Sequence, residues 1–134
     1  MTLLTQTVGA KQNFAPDYIF NNAALANGGS TTSSAFRLGG ALLGAEVVGY
    51  ADTEITIASA QTIVYALHTS DTYAGSYTLS DTIVTKTAGT IANGAELFRF
   101  AGNTGTKLWA KVVCTTTADQ SLDKHTVILE RVPR

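Results

Sequence analysis

From residue 34 to residue 132 the chain is a succession of short, Thr-rich apolar runs, each cut off by Gly, Asn or Asp. That rhythm constrains the fold more than any other feature. Period-two alternation with β-branched residues is the pattern of a half-buried strand. Runs of this kind fall at 35–38, 46–50, 53–58, 61–69, 82–87, 95–101, 106–116 and 125–132. In the fourth, Ile63, Tyr65 and Leu67 point one way and Val64, Ala66 and His68 the other. A strand apolar on both faces suits the interior of a sandwich. In 106–116, Leu108, Ala110, Val112 and Cys114 are expected to face inward, with Trp109, Lys111 and Val113 opposite. Asn93-Gly94 suits a type I′ turn, in which both residues have positive φ. Around seven to nine strands at roughly ten-residue spacing, with no long amphipathic helix, predict a sandwich or barrel. The expectation is all-β: a single jelly-roll-like β-sandwich over 34–134.

Residues 1–33 read differently. Leu3, Leu4, Phe14, Tyr18, Ile19 and Phe20 are apolar but share no sustained period, and 21–34 is a bland run of Asn, Ala, Gly, Ser and Thr. A long irregular lead in a small domain is usually a functional loop, a linker or a partner-ordered segment. An extended, irregular N-terminal arm is therefore predicted, with Leu3, Leu4, Phe14, Tyr18 and Phe20 as anchors for another subunit. The opposing reading makes these residues a first strand that plugs the domain's own core.

With 134 residues there is room for one core. Charged residues make up only 14% of the chain, against roughly 25% in typical domains. Thr, Ser, Asn and Gly must then cover much of the surface, which suits flat protein contacts. A net charge of −1 supplies no field to gather nucleic acid or anionic lipid. The single cysteine, Cys114, precludes an intramolecular disulfide framework and reads as a buried small hydrophobe. No basic and apolar leader opens the chain and no apolar run spans a bilayer, so neither membrane nor export signal is expected.

Catalytic groups are sparse. His68 and His125, with Asp71, Asp119 or Asp123, lack the short spacing of a metal site; the simpler reading puts each histidine at a strand end or rim. No G-x-S-x-G elbow is present, and Glu46, Glu54, Glu96 and Glu130 look like solvent-face residues. Gly28-Gly29 and Gly39-Gly40 are not followed by a phosphate-binding helix. No enzyme, cofactor or metal is predicted. Tyr65 reads as core, whereas Tyr73 and Tyr77 flank Gly75 in a loop and, with Asp71, would suit a carbohydrate-binding jelly roll.

Three segments carry a resemblance. Ser30-Thr31-Thr32-Ser33-Ser34-Ala35-Phe36-Arg37-Leu38-Gly39 is a Ser/Thr-rich lead into a short strand ending in Leu-Gly. Thr62-Ile63-Val64-Tyr65-Ala66-Leu67-His68-Thr69-Ser70-Asp71 is an apolar strand running into Thr-Ser-Asp, and Gly105-Thr106-Lys107-Leu108-Trp109-Ala110-Lys111-Val112 is a late strand. Together they resemble capsid cement (decoration) proteins of tailed bacteriophages. The resemblance implies a jelly roll acting as a homodimer or homotrimer on the outer capsid surface of the virion, bridging major capsid proteins after assembly in the host cytoplasm. The first twenty or so residues match that pattern poorly. A tail or baseplate adaptor shares the composition and stands as an alternative.

Overall fold

The computed structural model describes residues 17–38, 45–101 and 107–131. Eleven strands occur among them: β1 (Asp17–Ala24), β2 (Ser30–Thr32), β3 (Phe36–Arg37), β4 (Ala45–Ala51), β5 (Ile55–Ile57), β6 (Ile63–Ser70), β7 (Thr78–Lys86), β8 (Gly89–Ile91), β9 (Glu96–Ala101), β10 (Trp109–Thr116) and β11 (Lys124–Arg131). One antiparallel sheet has the order β1-β11-β4-β9. The other runs β2-β10-β6-β7, with β3 continuing β2 along β10, and β5 and β8 form a separate pair. With β2 and β3 taken as one interrupted strand and β5/β8 set aside, the first strand pairs with the last, the second with the second-last, and so inward to the β6–β7 pair. That is a long hairpin rolled on itself, the jelly-roll arrangement.

Alternation decides what lies between the sheets. Phe20, Val47, Phe98, Val127 and Leu129 from the first meet Ile63, Tyr65, Leu67, Ala110, Val112 and Cys114 from the second in one core. Each large apolar side chain so buried contributes about 1.5–3 kcal/mol. The inward sets expected for β6 and β10 are observed, except that Leu108 precedes β10 and is half-buried. In β9 the alternation fails because a register shift opposite Gly49/Tyr50 lets Leu97 and Phe98 both turn inward.

Three expectations need correction. The irregular lead does not extend to residue 33: β1 pairs with β11 and β2 with β10, inside the sandwich. Phe20 is 7% exposed and belongs to the core, so it is not an interface anchor. Nor is the Asn93-Gly94 turn of type I′. Only Gly94 has positive φ (86°), and the turn carries the chain from β8 to β9, which pair with different strands.

Candidate functional site

The outer face of the second sheet holds a cluster of rings and cations. Because Ala110 and Val112 point into the core, Trp109 and Lys111 are directed outward from β10. The register sets Arg37 of β3 and Ser70 of β6 beside Trp109, and His68 beside Lys111. The Arg37 guanidinium carbon lies 5.9 Å from the Trp109 ring centroid. The Lys111 Nζ lies 4.4 Å from the Tyr77 ring. Both distances suit cation–π contact.

The loop after β6 folds over this face. The Thr72 amide donates to Ser70 Oγ (3.3 Å), the Gly75 amide to the Thr72 carbonyl (3.2 Å), and the Tyr77 hydroxyl to the Tyr73 carbonyl (2.7 Å). A Cβ at residue 75 would collide with Thr72 Oγ1 and Ser70 Oγ, so a larger residue there would force both hydroxyls to turn away. The closed loop sets Tyr73 edge-on to Trp109, with ring centroids 5.0 Å apart at 72°.

Across from Tyr73 the strand between β2 and β3 is interrupted at Ser33. Its Oγ accepts the Val112 amide (3.0 Å) and donates to the Ser34 carbonyl (2.9 Å), replacing ladder bonds that the break removes. Between the loop and this break lies a cleft of about 360 Å³ lined by Thr32, Ser33, Ser34, Ala35, Tyr73 and Lys111. Its wall thus combines a ring, an ammonium and several hydroxyl or amide groups.

The residues predicted from sequence are distributed unevenly. Tyr73 and Tyr77 join the cleft region, while Asp71 stands apart, exposed, 3.8 Å from Lys107 Nζ. Tyr18 is half-exposed on edge strand β1. Leu3, Leu4 and Phe14 lie outside the described residues. The two histidines do not converge. His68 is on the outer face of β6, whereas His125, expected at a rim, is fully buried in β11. Asp119 accepts from the Ser121 amide (2.9 Å) and hydroxyl (2.6 Å), which hold its carboxyl below the ordinary value. Asp123 accepts from the Gln120 side chain. No three His, Cys, Asp or Glu side chains gather into a metal-binding group among the described residues.

A second polar cluster lies inside the core. Tyr65 Oη and His125 Nδ1 are hydrogen-bonded at 2.7 Å, and Phe20 stacks on the imidazole at 4.7 Å. Cys114 is the register partner of Tyr65. Burial lowers the His125 pKa to about 4, with Asp52 opposing. Burial raises the Cys114 thiol to about 11 and pushes the Tyr65 phenol well above its usual range, with Cys114 adding to the latter. All three groups are held in their neutral forms at pH 7, which suits a polar cluster packed inside an apolar core.

On the first sheet's outer face, Arg99 holds three of the four glutamates read as solvent-facing. Its Nη1 lies 2.7 Å from Glu46 and 3.0 Å from Glu130, and its Nη2 lies 3.1 Å from Glu96. The register puts Val48 between Ile128 and Arg99, and Val48 is fully buried on this outer side. Sequence reading placed the glutamates on the correct face but missed the convergence, which needs three strands in register. Comparison of the chain with protein-family models, curated proteins and solved structures returns no match.

Proposed function

We propose that this protein is a capsid cement protein, binding the outer surface of a phage shell as a homo-oligomer and bridging major capsid proteins. The observation that carries the reading is the pairing of first strand with last and second with second-last, the jelly roll that the sequence resemblance leads one to expect. The low charge content adds support, since a hydroxyl-rich exterior costs less to desolvate against another protein than a charged one. Cementing needs buried area and no turnover. An interface of about 1,600 Å² is enough for specific binding, and contact with several subunits adds avidity.

Leu3, Leu4 and Phe14 are the proposed contacts, continued by Tyr18 and excluding Phe20. A segment that crosses a capsomer seam can add a strand to a neighbour's edge and gain main-chain hydrogen bonds. The test is a variant lacking residues 2–16, which keeps β1 and with it Phe20. It should unfold at the same urea concentration as the full chain yet occupy purified shells at least about tenfold less, the equivalent of losing one good contact. Full occupancy by the truncated protein would remove the arm from the interface. In electron micrographs of the virion, density spread over the icosahedral faces supports cementing. Density confined to the tail would replace it with the adaptor reading.

A further inference from the structure

We infer that the cleft between Tyr73 and the 32–35 segment binds an acidic saccharide, with the sugar's carboxylate on Lys111 and one of its apolar faces on Tyr73. This site is independent of the capsid reading.

Three observations select that ligand class. The first is size. At about 360 Å³ the cleft lies at the small end of ligand pockets, which run from roughly 300 to 1,000 Å³. It takes one or two rings of a short oligosaccharide, with any further ring left in solvent, and does not track an extended chain. The second is the chemistry of the wall. Tyr73 is 62% exposed, and its orientation is fixed by the edge contact with Trp109 and the bond from Tyr77 to its carbonyl. A fixed, exposed ring offers a stacking platform at little entropic cost, and Thr32 and Ser34 supply hydroxyls that can pair with those of a sugar.

The third is charge. Cations already lie over two of the aromatic faces, Lys111 over Tyr77 and Arg37 over Trp109. A cationic ligand seeking an aromatic cage would meet repulsion there. A ring face neutralises an ammonium less completely than a carboxylate does, so Lys111 keeps its attraction for an anion. Among the described residues, Asp71 pairs with Lys107 and not with Lys111 or Arg37. Single-stranded nucleic acid also combines rings with negative charge, but it requires a basic groove tracking several phosphates. A chain of net charge −1 with a short cleft is poorly suited to that.

Trp109 is the chain's only tryptophan, so its emission reports directly on this face. Titration of the full chain with a galacturonic acid trimer should change that emission saturably. A neutral galactose trimer should bind about tenfold more weakly, as expected for loss of one charge-assisted contact. Lys111→Met and Tyr73→Ala should each weaken the trimer about tenfold without moving the urea midpoint, and Lys111→Arg should restore binding. The inference is overturned if the acidic trimer gives no saturable response, or if neutral and acidic trimers bind alike. It is equally overturned if the two variants bind as the wild type does, or if an oligothymidylate binds more tightly than the trimer.

Discussion

His125 occupies a place that suits only an uncharged ring. It is packed between Phe20 and the Tyr65 hydroxyl, and its Nε2 has no hydrogen-bond partner among the described residues. Its pKa falls from 6.5 to about 4 on folding, so the unfolded chain binds the proton more readily than the native one. The resulting contribution to stability is therefore complete above pH 6.5, declines as the pH falls from there toward 4, and is gone below. Across that window the loss should approach about 3 kcal/mol. Asp52, which accepts a hydrogen bond from Thr126 next along the strand, is the nearby charge that opposes the shift. Urea unfolding of the wild type and of His125→Phe between pH 4 and 7.5 isolates this component. The variant should lack the extra acid slope, and parallel profiles would show that the ring is not the group responsible. Gly49 answers to the same close packing, since a Cβ there would lie 2.5 Å from the Phe98 ring.

At the level of elements, β1 explains both what sequence patterns conveyed and what they concealed. Its register with β11 shifts twice, once between Tyr18 and Phe20 and again between Phe20 and Ala23. Asn22 absorbs the second bulge with a φ of 48°, a conformation asparagine tolerates, while its amide donates to Thr126 Oγ1 at 3.0 Å. Each bulge inserts a residue and resets the alternation. A real strand therefore looked aperiodic, and a core phenylalanine looked like a free anchor. β6 and β10, whose shared ladder is regular over eight pairs, were legible for the opposite reason. The same contrast holds at the cleft. The tyrosines flanking Gly75 stood out locally, whereas Arg37 and the 32–35 segment reach Trp109 and Lys111 only through long-range pairing that no local pattern encodes. If β1 is integral to the core, Phe20→Ala should cost about 3 kcal/mol in urea unfolding. A loss below about 0.5 kcal/mol, the ordinary scale of a surface change, would return Phe20 to the arm.

Over the whole molecule, cohesion depends on strands that are distant in sequence. β11 lies between β1 and β4, and β10 between the interrupted β2/β3 and β6, so the last two strands join the earliest parts of the chain. Little of either sheet is complete until the C-terminal third is in place, which predicts slow folding for a domain of this size. Native-state amide exchange should be slowest at Val127 and Val112 in these central strands. It should be fastest, among strand residues, along edge strand β7, where the register shifts twice and Leu79 is exposed. Equal exchange at Val127 and Leu79 would contradict this order.

The pairing of Asp17 with Leu129 has one more consequence. The chain enters and leaves the sandwich at neighbouring positions on one sheet, while the aromatic cleft is built on the other. A passenger peptide joined directly before Asp17 or just after β11 would start from the same corner. A short linker from the end of β11 to Asp17, replacing the residues outside them, would yield a circular permutant whose new termini open elsewhere, with the rolled sheets intact.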